Sequence, residues 1–258
     1  MPLEMQHFSS SGIDIAFIDE GADEATNGTM LLIHGFASNV VVNWVDPGWV
    51  RTLQQSGYRV IALDNRGHGQ SAKLYDEAAY GPRLMAEDAR ALLDQFGIER
   101  AHVMGYSMGA RVTAFLSLAH PERVRSAVFG GLGANMVRGL AGARPIAKAL
   151  LEPSIDDVTN AAARTFRAFA DATGSDRRAL AACVVGSREA MPAELVAQIR
   201  VPVLVAVGDH DVIGGSAAEL AAMIPGAEAF VIEGRDHMKA VGDHRFKDAV
   251  LAFLARHA

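Results

Sequence analysis

The sequence predicts an α/β fold, with a mostly parallel sheet flanked by helices and one long helical insertion. Three observations carry this. Short apolar runs alternate with longer segments whose apolar residues recur at helical spacing. Several of the runs end in Gly, Asp or His, as strands do where they feed the loops of an α/β sheet. Between residues 135 and 199 the alternation stops, and the chain becomes rich in Ala and Arg with no strand pattern.

Taken in order, Gln6–Asp19 reads as a hairpin at the sheet edge. Met30–Ile33 is a short buried strand ending in His34-Gly35, and Tyr58–Leu63 is the next, ending in Asp64. Leu84, Ala89, Leu92, Leu93 and Phe96 mark a helix over Leu84–Phe96. Ala101–Gly105 reads as a strand, Met108–Ala119 as a helix that Pro121 punctuates, and Arg125–Phe129 as a strand. Pro145, Pro153, Gly174 and Pro192 are expected to break Asn135–Ile199 into three or four short helices. Strands resume at Val201–Val207 and Glu228–Ile232, and an amphipathic helix over Phe246–Ala255 closes the chain. The expected organisation is a core domain of residues 1–134 and 200–258 with a helical cap, 135–199, after the sixth strand. An insertion of that length is far longer than an ordinary connection and suits a lid or binding element.

Composition narrows the function. A chain of 258 residues, half of them hydrophobic, can bury one large core. The net charge is −6, and Lys and Arg are scattered, so no nucleic-acid partner is expected. The single cysteine, Cys183, allows no intrachain disulfide and lies in an apolar stretch that predicts a buried structural thiol. The N-terminus lacks the basic start and apolar run of a signal peptide, and no apolar stretch reaches the roughly 18 residues of a membrane span. The expectation is a cytoplasmic protein, monomer or homodimer, acting on a small molecule without metal or cofactor.

Gly105-Tyr106-Ser107-Met108-Gly109 matches G-x-S-x-G. The pattern alone is weak, but here it follows a predicted strand and opens a predicted helix, the setting of a nucleophile elbow. On so sharp a turn, side chains two residues either side of the serine would clash. The plain alternative is an N-cap serine. A serine hydroxyl needs a base at neutral pH. Base and acid are expected in loops beyond the carboxyl ends of strands, and Gly208-Asp209-His210-Asp211 and Glu233-Gly234-Arg235-Asp236-His237 are two such loops. The order Ser107, Asp211, His237 is the one this arrangement requires. Asp211 is preferred over Asp209, which is expected to brace the loop, because it lies further beyond the strand. The loop Gly130–Asn135 offers no carboxylate, and Asp236 adjoins His237 too closely to face it. His34 and His68 read as structural turns, His102 lies within a strand, and His120, His244 and His257 read as surface positions. Backbone N–H groups of Phe36 and Met108 are the candidates for an oxyanion hole.

Together, His34-Gly35-Phe36, Asp64-Asn65-Arg66-Gly67-His68-Gly69-Gln70-Ser71, the Ser107 elbow, Gly208–Asp211 and Gly234–His237 resemble the α/β-hydrolase superfamily. The likeness is to its bacterial esterase, enol-lactonase and cofactor-free haloperoxidase branch, and covers the chain outside the cap. The resemblance implies the α/β-hydrolase fold, a Ser-His-Asp triad and a bracing role for Asp64, Arg66 and Ser71. Epoxide hydrolases and haloalkane dehalogenases of this fold use an aspartate where Ser107 stands. Carbon–carbon bond hydrolases usually carry an aromatic residue after the base, where this chain has Met238.

The expected reaction is hydrolysis of a carboxylic ester through an acyl-enzyme. Trp44, Leu132, Met136, Phe166, Phe169 and Met238 are expected to line the substrate pocket beside Phe36 and Met108, which favours a neutral or apolar acyl group. Arg138, Arg144, Arg164 and Arg167 leave room for an acidic lactone. Two rivals fare poorly. Gly131-Leu132-Gly133 opens like a dinucleotide fingerprint, but Met136 breaks it and it follows the wrong strand. The Asp209–Asp211 and Asp236-His237 groups lack metal-ligand spacing. A weakly catalytic small-molecule receptor of the same fold is the remaining alternative.

Overall fold

The computed structural model describes residues 4–21, 25–139, 142–188 and 190–258. One eight-stranded sheet, in the order β1-β2-β4-β3-β5-β6-β7-β8, organises them. The strands are β1 (Gln6–Ser10), β2 (Ile13–Glu20), β3 (Thr29–Ile33), β4 (Arg59–Leu63), β5 (Ala101–Tyr106), β6 (Val124–Gly130), β7 (Val203–Gly208) and β8 (Glu228–Ile232). β1 and β2 form the antiparallel edge hairpin, and β2 runs antiparallel to β4. Every other pairing is parallel. The central strands are covered on both faces, which is why they read as continuous apolar runs rather than alternating ones; β5 and β7 are buried at every position.

The helices are α1 (Trp49–Gln55), α2 (Pro82–Gln95), α3 (Met108–Ala119), α4 (Asn135–Arg138), α5 (Ala143–Leu151), α6 (Ala161–Ala172), α7 (Arg177–Gly186), α8 (Ala193–Val196), α9 (Ala217–Ala221), α10 (His237–Ala240) and α11 (His244–Ala255). α3 is apolar nearly all round and buried over its first ten residues, so it forms part of the core. No helix of the described residues is long and apolar enough to cross a membrane.

Among the described residues, five helices, α4 to α8, occupy the stretch between β6 and β7, one more than the upper expectation. Pro145 does not break a helix. It sits in the first turn of α5, where the N–H it lacks would have no intrahelical partner. Asn160 and Asp176 cap α6 and α7 through their side chains, which fixes where each starts. α5, α6 and α7 bury an apolar cluster of their own, with Ile146, Leu150, Leu180 and Val184 at its centre. Phe36, Phe166 and Phe169 pack against it, and the Thr173 hydroxyl donates to the Ala37 carbonyl (3.0 Å), tying α6 to the loop after β3.

The segment after β4 is a brace. Asp64 accepts from Val40 N and Gln70 N (2.8 Å each), and Ser71 Oγ donates to Asp64 O (2.6 Å). Arg66 makes a two-point, fully buried pair with Asp88 of α2 (2.7 and 2.8 Å).

The topology locates the site. The chain leaves β3 for β4 on one side, then returns to β5 on the other. Crevices beyond the carboxyl ends of strands at such a reversal are where α/β sheets bind ligands. Ile33 pairs with Gly105 and Gly208 with Ile232, so the loops after β3 and β5 are neighbours, as are those after β7 and β8.

Candidate active site

Ser107 follows β5 and precedes the first turn of α3 at φ 55°, ψ −112°, a conformation L-residues rarely adopt. Its N–H donates to Gly130 O (2.7 Å), which latches the turn to β6. The neighbouring glycines are sterically required. A Cβ on Gly105 would stand 2.1 Å from Gly109 O, and one on Gly109 would stand 1.9 Å from Ile33 O. Both obstacles are backbone. Gly109→Ala is therefore expected to destabilise the fold by roughly 3 kcal/mol or more, read as a lowered urea midpoint against wild type.

The structure brings Ser107, His237 and Asp211 into one hydrogen-bonded chain. His237 Nε2 lies 3.0 Å from Ser107 Oγ, and Nδ1 lies 2.7 Å from Asp211 Oδ2. His237 opens α10, whose N-cap is Asp236, with Met238 N and Lys239 N donating to its side chain. Asp236 is thus occupied by its own helix. Tyr106 OH donates to His237 O (2.6 Å), fastening the base to the residue before the nucleophile. Asp211 is buried; its Oδ1 accepts from Ile213 N and Gly214 N (2.8 Å each), leaving Oδ2 for the imidazole. Asp209 instead accepts from Arg235 N (3.3 Å) across the β7 and β8 loops. A carboxylate against Nδ1 keeps the proton there and leaves the Nε2 lone pair facing the serine, so Oγ can surrender its proton as it attacks.

The loop after β3 is oriented by its own histidine. Asn65 N–H donates to His34 Nε2 (2.9 Å), so the ring proton is on Nδ1, which donates to Gly35 O (2.7 Å). The Gly35–Phe36 peptide is planar and trans, so the Phe36 N–H points away from that carbonyl. No protein acceptor takes the Phe36 N–H among the described residues. The Met108 N–H, at the first position of α3, precedes the first intrahelical bond.

Burial lowers the pKa of His34 to about 4 and that of its neighbour His68 to about 3. Both are therefore neutral when folded, and the unfolded chain takes up their protons first. Their contribution to stability is complete above about pH 6.5 and is lost as pH falls from there toward 4. The unfolding free energy from urea titrations is expected to drop across that window, by at most about 1.4 kcal/mol per pH unit for each histidine.

A cavity of about 390 Å³ opens over Ser107 and His237, walled by Phe36, Val42, Phe166, Phe169, Ile213 and Met238. Two expected wall residues are elsewhere. Trp44 is fully buried in the core beneath the sheet, against Trp49. A π-helical turn, Val41–Val45, turns Val42 to the cavity and Trp44 inward, a phase that 3.6-residue spacing does not anticipate. Met136 is fully buried in the core on the other face. Leu132 and Met108 meet only a small crevice beside Ser107. After Asp211, Val212 stands exposed and Ile213 faces the cavity. The buried Cys183 thiol, pushed up to about 12 by burial, lies 3.8 Å from Met108 Sδ, away from the reacting groups.

Of the arginines the sequence offers, Arg138 pairs with Glu219, Arg164 with Asp156 and Arg167 with Asp171. Arg144 is exposed. Among the described residues, Arg111 of α3 and Arg188, just after α7, border a crevice beside Ser107; the end of a helix carries no pocket signal in the sequence.

A family model described as the alpha/beta hydrolase fold matches residues 28–152. A hydrolase from Pseudomonas aeruginosa PA01 superposes with a TM-score of 0.80 at 25% identity, over 97% of this chain and 98% of that one. The chain has the α/β-hydrolase fold. The enol-lactonase of Burkholderia xenovorans LB400 shares the fold (TM-score 0.79, 20% identity, 97% of this chain, all of that one). Epoxide hydrolase B of Mycobacterium tuberculosis is 32% identical over 139 residues. That match spans 51% of this chain and 36% of the relative.

Proposed function

We propose that the protein is a serine hydrolase that cleaves carboxylic esters of small, largely apolar substrates through an acyl-enzyme. The observation that carries this is the Ser107–His237–Asp211 chain standing at the floor of an apolar cavity. Ser107 Oγ attacks the ester carbonyl as His237 Nε2 takes its proton. The Phe36 and Met108 N–H groups hold the oxyanion. His237 then returns the proton to the departing alcohol, leaving the acyl group on Ser107. Water, deprotonated by the same imidazole, attacks the acyl-enzyme and releases the acid. The helices between residues 135 and 199 act as a cap, with Phe166 and Phe169 closing the apolar wall. Serine at the elbow, rather than aspartate, favours ester chemistry over epoxide opening or dehalogenation.

Hydrolysis of p-nitrophenyl esters of increasing chain length tests the reading, with mass spectrometry after exposure to a serine-reactive phosphonate. Turnover is expected, with the phosphonate on Ser107. No turnover of any ester, together with an unlabelled Ser107, overturns the proposal and leaves a receptor of this fold.

A further inference from the structure

The cavity over Ser107 is apolar, but not wholly so. No Lys, Arg, Asp or Glu lines it among the described residues, yet hydrogen-bonding side chains do. Most of these are committed. Ser107 and His237 hold each other, Tyr106 OH donates to His237 O, and Thr165 Oγ1 donates to Ala161 O (3.2 Å). Ser38 and Asn43, both from the loop after β3, remain. A serine hydroxyl can turn to give or to take a proton, so Ser38 imposes no sign on a ligand. An asparagine amide has an oxygen end and a nitrogen end, and its orientation decides which one a ligand meets.

The orientation of Asn43 is fixed by the backbone around it. Asn43 sits on the π-helical turn Val41–Val45, and its own N–H donates to Asn39 O (3.0 Å). Gly35 N–H donates to Asn43 Oδ1 (3.0 Å), so the oxygen end of the amide is the one turned to Gly35. The nitrogen end, Nδ2, is buried and has no hydrogen-bond partner among the described residues. A buried donor without an acceptor is destabilising, and native structures keep few of them. This one is close to the chemistry. A Cβ on Gly35 would stand 3.4 Å from Ser107 Cβ and 3.6 Å from Asn43 Oδ1, so a single glycine separates the amide from the nucleophile.

We propose that Asn43 is a specificity-determining residue, whose Nδ2 donates to a neutral acceptor oxygen of the substrate beside the scissile ester. The substrate class is then an apolar ester that carries a second oxygen, of an ether or a ketone, a few bonds from its carbonyl. A neutral acceptor suits a neutral amide donor, and a carboxylate would enter this cavity without a cationic side chain among the described wall residues to pair with. An ester lacking the second oxygen leaves the buried donor unpaired in the complex, which is how a hydrogen-bonding site rejects an apolar analogue. The inference rests on the ester-hydrolase reading, and the test separates the two.

Phenyl esters of methoxyacetic, β-methoxypropanoic and γ-methoxybutanoic acids are compared with phenyl butanoate, pentanoate and hexanoate, in which CH₂ replaces the ether oxygen. Methoxyethyl acetate against butyl acetate places the oxygen in the alcohol half. Each rate is corrected for the uncatalysed one. At one position the ether is expected to exceed its CH₂ counterpart at least tenfold in kcat/KM. Asn43→Leu has no donor, and the ionised carboxylate of Asn43→Asp accepts from Gly35 N–H but cannot donate. Both are expected to bring that ratio to one or below, with melting temperatures confirming that they fold. Loosening of the Gly35 loop would slow both members of a pair alike and leave the ratio unmoved, so a merely structural Asn43 fails the test. Calorimetric binding of the same esters to Ser107→Ala, with and without Asn43→Leu, reads the subsite without turnover. An Asn43-dependent ether preference in binding, with no hydrolysis by the wild type, keeps the subsite and overturns the ester reading. Hydrolysis with no ether preference at any position, or a preference that survives the Asn43 variants, overturns the subsite. Neither binding nor hydrolysis overturns both.

Discussion

Ser107→Ala is expected to lower kcat for ester hydrolysis by on the order of 10⁵- to 10⁶-fold. The methyl group removes the atom that attacks, and no other nucleophile stands in its place. The Cys183 thiol is buried, raised to about 12, and directed at Met108 Sδ. A residual rate some 10³-fold over water should persist, because backbone oxyanion donors and substrate binding survive the substitution. Measured kcat, with loss of phosphonate labelling, checks this. A variant retaining more than a hundredth of the wild-type rate would show that another group attacks. Relief of the positive φ is not expected to raise stability, since alanine is as strained there as serine.

Asp211→Asn is expected to cost on the order of 10⁴-fold in kcat with little change in stability. The reason lies in which oxygen is already committed. Ile213 N and Gly214 N both donate to one side of the carboxyl, so the amide of an asparagine must present its oxygen to them. Its NH₂ then faces His237 Nδ1 and donates to it. The imidazole proton is forced onto Nε2, where it points at Ser107 Oγ and cannot accept the serine proton. A kcat loss with a preserved melting temperature supports this account. Asp209→Asn is the control, since its carboxylate braces Arg235 N and touches none of the reacting groups; its kcat should stay within a few-fold of wild type.

The parts of the site legible in the sequence were those fixed by backbone topology. G-x-S-x-G was readable because the close approach of Gly109 to Ile33 admits no side chain there. Asp211 and His237 were readable because adjacent parallel strands, β7 and β8, must deliver their loops side by side. What the pocket walls do depends on the phase of short, irregular elements. Val42 rather than Trp44 faces the cavity, on a turn that is π-helical. Met136 sits in a four-residue helix whose apolar side has no period long enough to read. Arg188 escaped notice for a related reason. It lies two residues beyond the end of α7, and only the fold brings its guanidinium over Phe166 of α6.

The apolar cluster of α5, α6 and α7 is separate from the two that clamp the sheet. Ser107, Asp211 and His237 are latched by hydrogen bonds to the backbone of Gly130, Ile213 and Gly214 and to the Tyr106 hydroxyl, none of which belongs to those three helices. Under the proposed function, the chemistry and the choice of substrate therefore rest on different foundations. Residues such as Phe166 and Phe169 can be exchanged without loosening the machinery that breaks the bond. A scaffold built this way can be retuned to new compounds by small edits, each leaving a working enzyme from which the next can start.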